Sequence, residues 1–234
     1  MESLEAERER AESLDVGELA DAIEAIGFEC TRCGACCKAV DGCEGGDADE
    51  EGADTGGEGH DHTATVFPDE VRELQATDDY DWRDVARPMP YGLVEGEDGS
   101  QGETFEWALA TDDCGDCTFY AEDDGVGACT VHGDRPLVCR TYPFSVALGG
   151  TSQPMGEAVD EEGMVRAHEC EGLGRDISRE EAEELARALK ERAIRELDEA
   201  VAVRDSYRPV ERDSGEVVVF DSEGPKRPDG SAIE

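Results

Sequence analysis

The sequence predicts an α+β chain, with short strands lying between flanking helices. Apolar residues recur at helical spacing near both ends, and brief alternating runs between glycine-rich turns fill the middle. The core that these can build is thin: of 234 residues 38% are hydrophobic and 6% aromatic, while 27 are glycine and ten are cysteine. A core of that kind needs other cross-links, and the cysteines are the candidates.

Taken in order, residues 1–27 read as an N-terminal helix. Val16, Leu19, Ile23 and Ile26 fall at steps of three and four, and Gly27 closes the stripe. The chain then enters Phe28-Glu29-Cys30, so the helix delivers the first cysteine from a fixed end. Residues 44–62 form an acidic, glycine-rich stretch with the composition of a flexible loop, carrying His60 and His62. Thr65-Val66-Phe67 reads as a short strand, and Pro68 opens a helix to about Gln75 with Val71 and Leu74 facing inward. Tyr80, Trp82, Val85 and Arg87-Pro-Met-Pro suit an ordered, packed loop.

Phe105 to Leu109 alternates as a half-buried strand. Thr118-Phe-Tyr and Cys129-Thr-Val-His132 read as a hairpin flanking an acidic turn, Ala121 to Ala128. Val159 to His168 holds another strand. Ser178-Arg-Glu-Glu181 is a capping box that opens the C-terminal helix of residues 175–205, with Leu185, Leu189, Leu197 and Val201 as its inward stripe. The tail, 206–234, carries Val217 to Phe220 as an edge strand before a disordered Pro/Gly-rich end.

Charge narrows the function classes. There are 61 acidic against 21 basic residues, a formal net charge of -40, and the only lysines are Lys38, Lys190 and Lys226. Such a chain repels itself in dilute buffer and is relieved at molar salt, where the Debye length falls to about 3 Å. The balance is that of a protein from an extreme halophile. No basic stripe offers itself to nucleic acid. No apolar leader or membrane-length stretch occurs, so the expectation is a soluble cytoplasmic protein. Thiols stay reduced there, and ten cysteines mean metal or redox chemistry before they mean disulfides.

Cys30, Cys33 and Cys36 follow a C-x2-C-x2-C rhythm, which lets a chain fold around one centre with its thiolates converging. Zinc sites and iron–sulfur clusters both use it. Cys37 is adjacent to Cys36, and neighbouring cysteines share one ion only with backbone strain. The two are therefore expected to point to different places, giving two sites or one site and a free thiol. Cys114 and Cys117 form a further C-x2-C pair, and Cys129, Cys139 and Cys170 are dispersed. Wide separation of that sort suits a metal tying distant loops together, its binding energy becoming folding energy.

The chain resembles the CxxCxxCC cysteine-cluster family, the YkgJ-like proteins with a zinc- or iron-chelating domain. The matching pieces are CTRCGACC at Cys30 to Cys37, Cys117-Thr-Phe-Tyr, Cys129-Thr-Val-His, RPLVCRTYPF from Arg135 to Phe144, and Cys170-Glu-Gly-Leu-Gly. They lie within residues 28–174, read as the cysteine-cluster domain. The resemblance implies a metal site made from Cys30, Cys33, Cys36, Cys37, Cys117, Cys129, Cys139 and Cys170, enough for two sets of four. Cys43 and Cys114 stand outside the family pattern. Cys114 is then a spare ligand or a plain buried thiol, and Cys43, beside the acidic stretch, the least tightly gathered.

Lys38 and Arg140 each directly follow a ligand and could offset thiolate charge. Tyr142, Pro143 and Phe144 read as packing over the site. The expected fold is thus a small irregular α+β domain stabilised by metal.

Soft thiolate ligands accept zinc or an iron–sulfur cluster. The absence of histidine from the set argues for a closed site, and the ferredoxin-like rhythm leans towards iron–sulfur. The functional expectation is a metal-binding protein with a structural or electron-carrying site. One alternative is a metal-dependent enzyme, an oxidoreductase or one related to protein methylation, although no Gly-rich nucleotide loop or Ser–His–Asp arrangement is present. The other is a thiol redox protein using Cys30/Cys33 or Cys114/Cys117, neither of which has the strand–helix context of such motifs.

Overall fold

The stripe through Val16, Leu19 and Ile23 does form a helix, but the N-terminal segment folds as two helices where the sequence suggests one. A computed structural model describes residues 3–39, 61–96, 99–148, 158–160, 163–211, 213 and 215–233. In it α1 spans Leu4–Ser13 and α2 spans Val16–Ile26. Asp15 causes the break: its backbone is extended and its side chain accepts the Glu18 N–H, so it caps α2 and cannot continue α1.

The first small sheet follows. β1 (Thr65–Val66) leads into α3 (Pro68–Gln75), then α4 (Trp82–Val85) and β2 (Ala86–Pro88). Here the packed loop expected around Trp82 is a helical turn, capped by Asp81 through the Arg83 and Asp84 N–H groups, and a strand. β3 (Leu93–Gly96) and β4 (Gly99–Thr104) form a hairpin, and β5 (Trp107–Leu109) pairs antiparallel with both β1 and β2. All three residues of β5 are buried, because both of its faces are covered.

Next come β6 (Tyr120–Asp123) and β7 (Val126–Cys129), α5 (Leu137–Thr141), and β8 (Phe144–Val146), β9 (Ala158–Asp160) and β10 (Val165–His168) in the order β8-β10-β9. The β6–β7 hairpin turns at Asp124-Gly125, so both strands extend into the stretch read as a broad turn. α6 (Arg179–Ser206) opens with the expected capping box, the Ser178 side chain accepting the Glu181 N–H.

The tail departs most from expectation. β11 (Val217–Asp221) lies inside a four-stranded sheet, order β12-β11-β4-β3, parallel to β4 and antiparallel to β12 (Gly224–Lys226). It is not an edge strand, and Ile233 packs against its Val218 and Phe220. Asp221 and Lys226 form a buried ion pair at 2.8 Å, and the Trp107 indole N–H donates to Asp221 at 2.8 Å. A pairing of charges that also satisfies an indole fixes the tail where composition alone suggested disorder.

Two apolar clusters carry most of the core. One packs α1, α2, β8 and β10 against α6, with Ile23, Phe144 and Leu189 fully buried. Ala182, Ala186 and Ala193 on α6 are small enough to admit the neighbouring helices. The inward stripe includes Leu189 and Leu197, as the sequence suggests, but Val203 is buried rather than Val201. The second cluster joins Val71, Leu74, Val85, Trp107 and Phe119 with Cys117, and Cys37, Cys129 and Cys139 pack against it. These four cysteines are therefore attached to a core and not strung along a loop.

Candidate metal centre

Four cysteine-bearing segments meet beyond the end of α2. Gly27 closes that helix at φ 78°, and a Cβ there would lie 2.4 Å from the Arg175 carbonyl oxygen, so glycine is required by both conformation and space. Phe28 bridges to Leu173, and the Glu29 N–H donates to the Gly172 carbonyl at 3.0 Å. This places the Cys30 segment beside the Cys170 turn, where the Gly172 N–H donates to the Cys170 sulfur at 3.4 Å.

The chain then turns through Arg32 (φ 59°) and Gly34 (φ 79°) into a short 3-10 turn, Ala35–Cys37. There the sulfurs of Cys36 and Cys37 lie 3.7 Å apart. They do not point to different places, as the sequence suggested, because the tight turn carries both side chains to one side. The Cys37 carbonyl accepts the Cys117 N–H at 2.8 Å, stitching this turn to the segment that enters β6. Cys129 ends β7, in register with Tyr120. Cys139 sits in α5, whose first amide, Leu137 N–H, donates to the buried Glu70 carboxylate at 2.9 Å. Thr141 of the same helix accepts a hydrogen bond from Arg192 of α6 at 3.0 Å.

All eight cysteines named from the family motif are free thiols. Cys117, Cys129 and Cys139 feel one another's charge and that of Cys36. Cys170 feels Cys36, Cys33 and Cys30. Cys36 thus acts electrostatically on Cys117, Cys129 and Cys139 and also on Cys170, and the Cys37 sulfur lies against it. Among the described residues, no three such side chains are yet drawn together closely enough to hold an ion. The gathering is a neighbourhood of donors and not a formed coordination shell.

The electrostatics follow from crowding. The neighbouring Cys37 sulfur, and then burial, push the Cys36 thiol well above its ordinary range. Burial raises Cys117 to about 11 and raises Cys129, Cys139 and Cys170 as well. Arg135 is the cation that opposes this, its charge favouring the thiolates of Cys36, Cys129 and Cys139. Burial and crowding thus favour the protonated form of these sulfurs.

The donor chemistry fits a thiophilic ion, and the sequence comparison decides the class. Residues 29–171 match the model of the CxxCxxCC family, described as "Putative zinc- or iron-chelating domain". The chain belongs to the CxxCxxCC family. No curated protein and no solved structure matched the chain. Metal binding by a cysteine cluster is thus the function of the CxxCxxCC domain in its coarse form.

Around this CxxCxxCC core, other expectations change. Cys114 is disulfide-bonded, so it is neither a spare ligand nor a free buried thiol, and it cannot pair with the free Cys117 as a redox motif. Cys43 and His60 lie outside the described residues. His62 is not on a solvated tip: its amide donates to the Gly115 carbonyl at 2.8 Å and its carbonyl accepts from Arg87 at 2.9 Å. Burial and the Arg87 charge lower its imidazole to about 4.

Lys38 pairs with Glu122 at 2.8 Å, and Arg140 is exposed. Arg135, which belongs to the same motif, is the cation near the sulfurs. The Tyr142 hydroxyl donates to the Glu169 carbonyl, and burial, with the charge of Cys170 and Cys36, pushes it above its ordinary range. Phe144 does pack, fully buried and edge-on to Phe28 at 5.8 Å. No local motif marks Glu70, whose contact with the Cys139 helix joins residues far apart in the chain. Arg135, by contrast, was visible beside Pro136 in a motif already noted.

Proposed function

We propose that Cys30, Cys33, Cys36, Cys37, Cys117, Cys129, Cys139 and Cys170 hold zinc or iron in a closed, thiolate-only centre that ties these segments together. The observation that carries this reading is the 3.7 Å separation of the Cys36 and Cys37 sulfurs, with Cys117, Cys129, Cys139 and Cys170 within electrostatic reach of Cys36. Zinc binds thiolate at about 2.3 Å, so the edge of a tetrahedral thiolate site is about 3.8 Å. The pair already has that spacing, which favours ions bound singly by thiolates. A second reading, an iron–sulfur cluster, is favoured by the C-x2-C-x2-C rhythm of Cys30, Cys33 and Cys36. Bound iron would supply one-electron chemistry and zinc would supply structure alone.

In either case the chain's own part is the same. Arg135 offsets thiolate charge, Tyr142 and the apolar cluster around Cys117 limit water, and α5 presents Cys139 from a helix held at both ends. The acidic surface and eight free thiols support a YkgJ-like protein of a salt-rich cytoplasm. Among the described residues no helix is long and apolar enough to cross a membrane.

The test is anaerobic purification followed by metal analysis and an absorption spectrum. Stoichiometric zinc in a colourless protein, or iron without inorganic sulfide, supports the thiolate-only centre. Iron with equimolar sulfide and broad visible absorption supports the cluster. A protein with none of these, even after reconstitution with either metal, refutes the metal-binding reading.

A further inference from the structure

We propose, on the metal-binding reading above, that Tyr120 is a positioning residue of the centre: its ring and hydroxyl lock the Cys33–Cys37 turn onto the Cys117–Cys129 hairpin, so that thiols from both face one another. Tyr120 stands where those segments meet. Its amide donates to the Cys117 carbonyl at 2.8 Å, and it lies directly opposite Cys129 across the β6–β7 ladder. Its ring rests on two glycines. A Cβ at Gly34, the residue after Cys33, would fall 2.2 Å from the Tyr120 hydroxyl oxygen. One at Gly127 would fall 2.8 Å from the ring and 2.9 Å from the Arg32 carbonyl, which the Gly127 amide meets at 2.7 Å. Both the turn and the hairpin are thus bare of side chain where the ring lies between them.

The hydroxyl extends the lock to the far side of the turn. It donates to Glu122 at 2.5 Å, two residues along the same face of β6. Lys38, which follows Cys37, donates to the same carboxylate oxygen at 2.8 Å and lies 5.3 Å from the centre of the Tyr120 ring. The Lys38–Glu122 pair is about one-third exposed on each side. Exposed pairs of this kind contribute little to global stability, so the network's value lies in where it holds the turn. Residues that orient metal ligands without touching the ion typically alter affinity by about 10–100-fold when replaced.

The probe is cobalt(II), titrated anaerobically into reduced, metal-free full-length protein. Thiolate-to-metal absorption is followed in competition with a chelator of known affinity, and melting curves are recorded alongside. Tyr120→Ala should weaken cobalt binding by about 10–100-fold and alter the ligand-field bands that report site geometry. Tyr120→Phe, which keeps the ring and loses only the bond to Glu122, should recover most of the affinity. Glu122→Gln should resemble Tyr120→Phe. If Tyr120→Ala does not fold, a comparison of Tyr120→Phe and Tyr120→Leu replaces it, with phenylalanine expected to bind tighter. Wild-type binding with unchanged affinity and spectrum in Tyr120→Ala, or equal affinity in the phenylalanine and leucine variants, overturns the role of Tyr120. Failure of the wild type itself to bind cobalt through thiolate would instead overturn the metal-binding reading, and the positioning role with it.

Discussion

Replacing Glu70 by alanine should loosen the helix that carries Cys139. Glu70 is 6% exposed; one carboxylate oxygen accepts the Leu137 N–H at 2.9 Å and the other accepts the Phe67 N–H at 3.0 Å. It therefore closes the start of its own helix, α3, and of α5, the short helix that presents the cysteine. Alanine leaves the buried Leu137 amide and the part-buried Phe67 amide unmet, the buried one at about 1–3 kcal/mol and the other at less. Against this, burial holds the Glu70 carboxyl above the usual carboxylate range, so its removal recovers part of the cost of a buried charge. The net expectation is a loss of about 1–3 kcal/mol, together with weaker metal retention. Glutamine should fall between the two, since its carbonyl can satisfy one amide while its NH2 group faces the other. Urea unfolding of the metal-free forms reads the stability change, and chelator competition reads the metal. An alanine variant within about 0.5 kcal/mol of wild type would refute the bridging role, because unmet buried donors cost more than that.

Other perturbations probe the surroundings. Lys226→Met should cost about 3–5 kcal/mol, because it strands a buried carboxylate; the double variant with Asp221→Asn should recover much of it in the same urea experiment. Burial and Arg87 hold His62 neutral in the fold down to about 4, while the unfolded chain takes up its proton near 6.5. Stability should therefore fall as pH drops through that window, by up to about 3 kcal/mol, and His62→Asn should flatten the slope in a pH series of melts. Diluting potassium chloride from molar to millimolar should lower the melting temperature of both metal-loaded and metal-free protein, since 61 carboxylates then lose their screening. Equal melting temperatures at the two salt concentrations would argue against surface repulsion as a cost to this fold.

What the sequence made legible was local. The stop at Gly27, the opening of α3 at Pro68 and the Ser178 capping box are each written within a few residues, and each stands in the structure. What it hid was pairing between distant segments. β11 read as an edge strand because its parallel neighbour β4 is remote in sequence, and its tail read as disordered because the Asp221–Lys226–Trp107 contact cannot be seen from composition. Asp15 is hard to read as a break, because the charged run before it and the apolar stripe after it both suit a helix. At the centre the family cysteines were legible as a set, but the conformation of the Cys36-Cys37 turn was not, since adjacency alone suggests divergence. The bonding of Cys114 was also out of reach, because an argument from reduced surroundings speaks to the average cysteine and not to each one.

The most direct measurement counts thiols. Metal-loaded and chelator-treated protein are alkylated under native conditions, without reductant, and weighed intact by mass spectrometry. If the eight free cysteines together hold metal, the loaded protein should resist modification while the treated protein takes up to eight alkyl groups, with Cys114 spared in both by its disulfide. Peptide mapping should place the protected positions at Cys30, Cys33, Cys36, Cys37, Cys117, Cys129, Cys139 and Cys170. The same extent and pattern of modification with and without bound metal would contradict the account, because metal held by these thiolates must shield them.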